Sequence, residues 1–303
     1  MDQIIDIATD GRHLSRDRGF LRVSQDGNEI GRTPLDQIIA VIVHAHGTTW
    51  STSLLVELAE RGAPVVLCAA NHTPKSVLLP LDGHHLQGAR MRAQWQAKSP
   101  LIKRAWKHMV VAKVRMQAAA LHAIGDVPAP LRMMIRKITS GDGTNIEAQA
   151  ARYYWPRMMG DEFRRDTSAD RENALLNYGY TVLRAATARA VVAAGLHPTI
   201  GLFHANRGNA FALADDLMEP FRPLVDLTVR AIVADRGAEI DTQAKQALAG
   251  LIATDLPLGN GITPVSVALM KLATSLGQSF ETGKLALALP DPPDPLVLAG
   301  LGK

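Results

Sequence analysis

The spacing of apolar residues changes near residue 83 from that of strands to that of helices, and this change limits the possible folds most. Before it, short apolar segments alternate with turn signals, for example residues 20–23 followed by Asp26-Gly27. Such segments are typical of half-buried strands, and Asp-Gly pairs favour tight hairpin turns. After it, apolar residues recur at helical spacing almost to the end. The sequence predicts an α+β fold, with a small N-terminal β-rich domain followed by a larger all-α C-terminal domain.

Turn-forming and helix-breaking residues set the predicted boundaries of the domains. Pro80-Leu81-Asp82-Gly83 separates a first domain, 1–82, from a helical domain, 83–289. The proline-rich stretch at 290–295 is expected to be neither helix nor strand. Residues 290–303 are therefore predicted to be an extended tail that leaves the domain.

The same patterns predict the individual elements. Strands are predicted at 4–7, 20–23, 38–43, 65–67 and 77–79. Helices are predicted at 51–61, 86–96, 101–122, 130–137, 147–158, 171–194, 210–233 and 265–276. Pro220 and Pro223 interrupt the seventh helix, so we expect a kink or break just past Glu219.

The composition excludes several classes of protein. No apolar run approaches the roughly 18 to 20 uncharged residues that cross a bilayer. The start of the chain has neither a basic segment nor a small-residue cleavage site, which argues against secretion. The single cysteine, Cys68, excludes an intramolecular disulfide and is expected to fill the core. We expect a cytoplasmic protein with no membrane partner.

Positive charge is concentrated in one part of the chain. Residues 83–125 contain no Asp or Glu but eight Lys or Arg and four His, although the net charge of the whole chain is only +4. Unbalanced charge of this density repels itself unless a polyanion neutralises it, and a phosphate backbone is the usual partner. The alternative is a solvated basic helix face. We favour nucleic acid binding.

Two segments carry side chains suited to holding a divalent cation. In the first, Thr144 or Asn145 is expected to cap a helix whose first turn holds Glu147, next to a loop that a ligand can approach. In the second, Asp216 and Glu219 share a helical face after a Gly- and Asn-rich loop that holds His204. Carboxylates, sometimes with a histidine, are the ligands that metal-assisted phosphoryl transfer uses. Taken alone, each segment is more often an ordinary solvated surface than a metal site.

Together these segments resemble, in order, the CRISPR-associated integrase family "Cas one". The resemblance rests on residues 145–152, 176–180, 201–204 and 216–223, and residues 78–81 and 83–87 resemble its type II branch. It extends over most of the chain, to about residue 276, and the ordered set is more specific than any one motif. The proline-rich end matches nothing in the family.

The resemblance implies both a site and partners. By motif, the metal ligands and catalytic residues fall on Glu147, His204 and Glu219, with Asp216 as a nearby supporting carboxylate and Mg²⁺ or Mn²⁺ as the ion. A one-metal site is the simpler expectation. The family also implies dimerisation through the N-terminal domain, and assembly with a small partner, "Cas two". Five basic side chains are predicted to follow the phosphates of double-stranded DNA, namely Arg90, Arg92, Lys103, Lys107 and Arg222.

The expected reaction is transesterification, in which the 3′-hydroxyl ends of a short duplex, the protospacer, are joined to CRISPR repeat DNA, with a related endonuclease activity. Three alternatives remain open. The same ligands suit a structure-specific metal-dependent nuclease, in which water replaces the 3′-hydroxyl as nucleophile. The basic stretch alone suits a non-catalytic nucleic-acid-binding scaffold. Carboxylates on a surface suit a helical partner-binding protein.

Overall fold

The computed structural model describes residues 3–69, 74–80, 83–204, 206 and 208–302. The N-terminal part is built mainly from strands, with one helix, α1 (Thr52–Glu60), which Ser51 caps. The strands are β1 (Gln3–Ile7), β2 (Arg12–Asp17), β3 (Phe20–Gln25), β4 (Asn28–Pro34), β5 (Ile38–Val43), β6 (Thr49–Trp50), β7 (Val65–Cys68) and β8 (Pro74–Leu78).

These strands form two four-stranded sheets. One has the order β4-β3-β2-β6, with β2, β3 and β4 as an antiparallel meander. The turn between β3 and β4 is the predicted Asp-Gly turn, in which Asp26 and Gly27 both have positive φ, at 50° and 81°. The other sheet has the order β1-β5-β7-β8, in which β5 runs parallel to both of its neighbours.

Strand β5 is buried on both faces, because it contributes to two apolar cores. Ile38, Val41 and Val43 pack with α1 and the meander. Ala40 and Ile42 belong to the core of the helical part. A run of six apolar residues is what a strand covered on both faces requires.

The rest of the chain is mainly helical. Its helices are α2 (Gln87–Trp95), α3 (Ser99–Ala123), α4 (Ala129–Ile135), α5 (Ile146–Met159), α6 (Glu172–Ala193), α7 (Ala212–Met218), α8 (Arg222–Arg236), α9 (Thr242–Gly250), α10 (Val265–Thr282) and α11 (Pro295–Ala299). Helix α6 lies at the centre and contacts α7, α8, α9, α10 and β5. Within the described ranges, none of these helices combines the length and apolar character that crossing a bilayer requires.

The predicted fold class is confirmed, with one exception to the all-α description of the second part. A two-stranded hairpin, β9 (Asp255–Leu258) and β10 (Gly261–Pro264), lies between α9 and α10. Strands β2 and β4 and helix α9 were also not predicted. Strand β4 is almost wholly exposed and holds a single large apolar residue, Ile30, so its sequence has no alternating pattern to detect.

The predicted break after Glu219 is confirmed. Helix α7 ends at Met218, a short 3₁₀ turn follows over Glu219–Phe221, and α8 begins at Arg222. Pro220 and Pro223 fall in the first turns of the new segments, where a missing N–H costs no hydrogen bond.

The prediction that the chain leaves the domain as an extended tail from residue 290 is wrong. Pro290 and Pro293 are buried, and the backbone N–H of Asp291 donates to the carbonyl oxygen of Pro257 at 3.0 Å.

Pro295 begins the short helix α11, where Asp294 accepts a hydrogen bond from the backbone N–H of Leu296 at 2.8 Å. Leu298 is 1% exposed, and α11 packs on α3 and α8. Proline is well suited to the first position of a helix, and the prediction overlooked this.

Candidate functional site

The first candidate residue, Glu147, is held at the start of α5 by two capping side chains. Asn145 has a left-handed backbone, with φ of 54°, and accepts a hydrogen bond from Ala148 N at 3.3 Å. The carboxylate of Asp142 accepts from the backbone N–H groups of Ile146 and Glu147, both at 2.9 Å. These bonds satisfy N–H groups that a helix start leaves without partners. The predicted cap at Asn145 is confirmed, and Asp142 is an addition.

The second candidate residue, Glu219, lies on the 3₁₀ turn that joins α7 to α8. Its side chain is only 3% exposed, and Oε1 is 3.1 Å from Nε of Arg222. A buried carboxylate therefore lies at the break between the two helices.

A lysine joins these two carboxylates. The Nζ atom of Lys113, on α3, lies 2.5 Å from Oε1 of Glu147 and 2.6 Å from Oε2 of Glu219. The two carboxylate oxygens are therefore no further apart than about twice these distances. The structure brings Glu147 and Glu219 to one point, although 72 positions separate them in the chain.

Lys113 was not among the predicted site residues, although it lies in the basic stretch. The sequence did contain a signal, because its neighbours at helical spacing are apolar. Val110, Met109 and Met116 are all buried, so Lys113 lies on the inward face of α3. A lysine on such a face needs an anionic partner, because burying an unpaired charge is costly.

His204 lies in a loop that Asp216 organises. The fully buried carboxylate of Asp216 accepts hydrogen bonds from the backbone N–H groups of Leu202 at 2.5 Å, Phe203 at 3.1 Å and His204 at 3.3 Å. It also contacts Nδ1 of the His204 ring at 2.6 Å. With Nδ1 directed at Asp216, Nε2 is the ring nitrogen left to bind a ligand.

Two further contacts fix this loop. A Cβ atom at Gly201 would lie 2.7 Å from Oδ2 of Asp216 and 2.8 Å from the His204 carbonyl oxygen, so only glycine fits there. The ring of Phe203 stacks on Trp106 of α3, with centroids 4.5 Å apart and an interplanar angle of 1°. The loop is therefore attached to both α7 and α3.

The charges at the site shift the pKa values of its groups. Burial alone would raise the pKa of Glu219, but Arg222 and Lys113 outweigh burial and lower it. Burial alone would lower the pKa of Lys113, but Glu219 and Glu147 outweigh it and raise it. The hydrogen bond to Asp216 raises the pKa of His204. At neutral pH, Glu219 is therefore ionised and Lys113 protonated.

The donor chemistry fits a hard divalent cation. Two carboxylates converge on one point, and an imidazole is oriented by a carboxylate at its other nitrogen, as is usual for histidine ligands. Oε2 of Glu219 is buried and receives no well-aligned hydrogen bond from the described residues, despite the nearby ammonium. However, no three His, Cys, Asp or Glu side chains in the described ranges have the arrangement of a formed metal site.

The predicted DNA-binding residues fall into different environments. Arg92 and Lys103 are exposed, and Lys107 is half-buried. Arg222 is half-buried, with its guanidinium beside Glu219 and 4.9 Å from the centre of the Tyr180 ring. Arg92, Lys103 and Lys107 therefore remain candidates for contact with phosphates, whereas Arg222 lies at the carboxylate site.

The predicted role of Arg90 does not agree with its position. Arg90 is 6% exposed, and its Nη1 donates to the carbonyl oxygen of Ala194 at 2.8 Å. Its Nε lies 3.4 Å from Glu281 on α10. A side chain buried between α6 and α10 does not reach a phosphate, so Arg90 holds these helices together instead. Helical periodicity alone did not reveal which face of α2 it occupies.

Comparisons with known proteins identify similar sequences. Residues 5–252 match the family model described as "CRISPR associated protein Cas1". A relative from Neisseria meningitidis serogroup C (strain 8013), described as "CRISPR-associated endonuclease Cas1", is 40% identical over 221 residues. This match covers 72% of the present chain and 72% of the relative.

Comparisons of structure identify the same fold. A chain described as "Casposase bound to integration product" matches with a TM-score of 0.80 at 18% identity, over 95% of this chain and 93% of that one. A chain of a "Cas6-RT-Cas1--Cas2 complex" matches with a TM-score of 0.75 at 18% identity. That match covers 97% of this chain and 36% of that one. At these identities the structural matches establish the fold alone.

Proposed function

The chain belongs to the Cas1 family of CRISPR-associated proteins, and from this we propose that it is a metal-dependent DNA integrase of CRISPR adaptation. The family predicted from the sequence is thereby confirmed. In the proposed reaction, the 3′-hydroxyl ends of a short duplex are joined to repeat DNA, with a related endonuclease activity. The observation that carries the proposal is the convergence of Glu147 and Glu219 on one cation position.

The names of similar proteins support this function. The Neisseria meningitidis relative is described as an endonuclease, and the casposase chain is described as bound to an integration product. Cutting and joining of DNA differ only in the nucleophile, which is water in one case and a 3′-hydroxyl in the other. One set of ligands serves both reactions.

In the proposed site, Glu147, Glu219 and His204 would hold Mg²⁺ or Mn²⁺. When bound, the ion polarises a phosphoryl oxygen and stabilises the charge that develops on it. Asp216 orients His204 through Nδ1. Arg222 and Lys113 keep Glu219 ionised, so its carboxylate is available as a ligand without first losing a proton.

The joining step exchanges one phosphodiester for another. The oxygen of the incoming 3′-hydroxyl forms a bond to phosphorus, and the bond from phosphorus to the 3′-oxygen of the repeat strand breaks. The attacking hydroxyl loses a proton and the leaving oxygen gains one, so no water is consumed. Arg92, Lys103 and Lys107 would follow the DNA phosphates, which gives an affinity that falls steeply with salt concentration.

The proposed partners are double-stranded DNA, a second copy of this chain and a Cas2-type protein. One of the structural matches is a chain of a complex whose description includes Cas1 and Cas2, which supports the last of these. We propose a cytoplasmic location, where the CRISPR DNA would lie.

A strand-joining assay tests the proposal. A labelled duplex with free 3′-hydroxyl ends is incubated with repeat DNA and Mn²⁺, and we expect products longer than the labelled strand. A nuclease would give only shorter products, and a binding scaffold would give neither. Either result would contradict the proposal.

Substitution of the two glutamates tests the site. We expect Glu147→Gln and Glu219→Gln each to reduce joining by about 100-fold or more, since each removes a charged ligand. Glu239→Gln, at an exposed position between α8 and α9, is the matched control and should keep full activity. Unchanged joining in both site variants would exclude them as ligands.

A further inference from the structure

Lys113 occupies the position where the two candidate ligands meet. Its ammonium lies within 2.6 Å of oxygens from both Glu147 and Glu219, and its side chain is 13% exposed. Two carboxylates held this close repel each other strongly in a buried setting. The lysine supplies the positive charge that lets them remain together.

A divalent cation and this ammonium cannot occupy the same point. Oxygen ligands of Mg²⁺ lie about 2.0 to 2.1 Å from the ion. An ion bound through the two oxygens that Lys113 contacts, Oε1 of Glu147 and Oε2 of Glu219, would overlap the ammonium, whose nitrogen lies 2.5 and 2.6 Å from them. For the ion to use these two oxygens, the ammonium has to move.

The other cation on Glu219 is not in this position. Arg222 contacts Oε1 of Glu219 from the first turn of α8, and Tyr180 lies against its guanidinium. Lys113 contacts the other oxygen, Oε2, and it alone of these two cations also contacts Glu147. Arg222 can therefore stay while Lys113 leaves.

The Lys113 side chain can move from the carboxylates towards solvent. The side chain of Glu147 is 19% exposed, so the site has a side that faces solvent. A lysine side chain is a flexible four-carbon stem, in contrast to the rigid fork of an arginine.

We propose that Lys113 is an internal counter-ion for the carboxylate pair, and that the divalent cation binds by exchange with its ammonium. Lys113 thus positions both carboxylates before the ion arrives and sets how tightly the ion is held. This inference rests on the proposed metal-dependent function. In a purely structural ion pair, by contrast, Lys113 would keep its contacts with both carboxylates when the ion binds.

Metal affinity without DNA is the first test. Mn²⁺ binding to metal-free protein is measured by isothermal titration calorimetry for the wild type, for Lys113→Met and for Lys271→Met, which removes an exposed lysine on α10. We expect Lys113→Met to bind Mn²⁺ on the order of tenfold or more tightly than the wild type. The variant lacks the ammonium that competes for the carboxylates, and with it the charge that repels Mn²⁺. Lys271→Met should match the wild type. Equal or weaker binding by Lys113→Met would overturn the proposal, as would an equal gain in both variants.

A measurement on the wild type covers the case in which Lys113→Met fails to fold. Surface amines are acetylated with and without Mn²⁺, and modification of Lys113 is followed by mass spectrometry. We expect Lys113 to be protected in the metal-free protein and to be modified several-fold faster with Mn²⁺, whereas Lys271 should react alike in both. Continued protection of Lys113 with Mn²⁺ bound would contradict exchange.

These measurements distinguish the proposed metal site from the proposed exchange. If the wild type binds no Mn²⁺, or if Glu147→Gln and Glu219→Gln bind it as well as the wild type, the proposed metal site is wrong. If Mn²⁺ binds at these glutamates but Lys113 stays in place, only the exchange is wrong.

Discussion

Asp216 organises the His204 loop through four contacts, although it is not itself a proposed ligand. Its two oxygens accept from three consecutive backbone N–H groups and meet the His204 ring. A carboxylate suits this role because it accepts at both oxygens and donates nothing. The position of His204 therefore depends on a residue of α7.

We expect Asp216→Asn to destabilise the protein by about 2 to 4 kcal/mol. The amide replaces one acceptor oxygen with an NH₂ group, which would face the backbone N–H groups that now donate to Asp216. Joining activity should fall about 10- to 100-fold as the His204 ring loses its orientation. Urea denaturation and the strand-joining assay measure the two effects. Asp161→Asn, at an exposed loop position, is the control. A variant with normal stability and activity would show that the loop does not need this carboxylate.

At the residue scale, the candidate site was predicted from motifs rather than from spacing. Glu147 and Glu219 were selected because their segments resemble a known family, and their meeting in space depends on how α3, α5 and α7 pack. Lys113 was missed because its role appears only when both carboxylates are in place. Arg90 was assigned to DNA because the charge of a residue in sequence does not reveal its burial.

At the scale of elements, one buried cluster of hydrogen-bonded side chains joins three helices. Asp226 on α8 accepts hydrogen bonds from the hydroxyl groups of Tyr154 on α5, at 3.0 Å, and Tyr180 on α6, at 2.5 Å. All three side chains are buried. Burial raises the pKa of Asp226 from its ordinary value of 3.8 to about 6, although both hydroxyl groups oppose this shift.

The raised pKa of Asp226 in this cluster leads us to expect a pH dependence of stability. The folded protein holds the Asp226 proton more tightly than the unfolded chain does. The contribution of this group to the free energy of unfolding is therefore fully present below pH about 4. It is lost as the pH rises through about 6. We expect the stability difference between wild type and Asp226→Asn to fall with pH over that range, by up to about 1.4 kcal/mol per unit.

Denaturation curves from pH 4.5 to 7.5 measure this difference. Asp235→Asn, on the same helix and with a side chain 75% exposed, should differ from the wild type by a nearly constant amount. If the Asp226→Asn difference is equally flat, Asp226 does not carry a raised pKa in the folded state.

Helix α11 offers a second test at this scale. Leu298 is 1% exposed and Leu296 is 83% exposed, two residues apart on the same short helix. We expect Leu298→Ala to cost about 2 to 4 kcal/mol through the cavity it leaves. Leu296→Ala should change stability by less than about 0.5 kcal/mol. Thermal or urea unfolding compares them, and equal effects would mean that α11 does not pack as described.

The elements themselves were predictable in proportion to their apolar patterns. The long helices α3 and α6 carry apolar residues at helical spacing and β5 is a continuous apolar run, and the predicted bounds of all three lie close to those observed. Strand β4 and helix α11 were missed because pairing with β3 and packing on α3 and α8 stabilise them. Such contacts are made by distant parts of the chain, and local sequence does not reveal them.

At the scale of the whole molecule, β5 links the two parts of the chain. Its residues divide between the core under the meander and the core of the helices. The division into 1–82 and 83–289 therefore stays a prediction about domain organisation. The shared strand argues that neither part is stable without the other, because separation would expose an apolar sheet face.

Ile42→Ala tests this coupling. Ile42 is fully buried and belongs to the helical core although it lies on β5. We expect a loss of about 2 to 5 kcal/mol, with faster hydrogen exchange in both the meander and α6. Ile262→Ala, where Ile262 is 75% exposed, is the control. Faster exchange confined to the strands would show that the two cores unfold independently.

The Phe203–Trp106 stack has an optical consequence. Indole emission depends on its immediate surroundings, and this ring is 1% exposed beneath a phenyl group adjacent to His204. A shift of that loop would slide the phenyl ring away and admit water to the indole. Trp95, which is 76% exposed, and the half-buried Trp50 and Trp155 would add a background emission. The chain thus contains its own fluorophore next to the candidate site, suited to following ligand arrival by stopped flow without a dye.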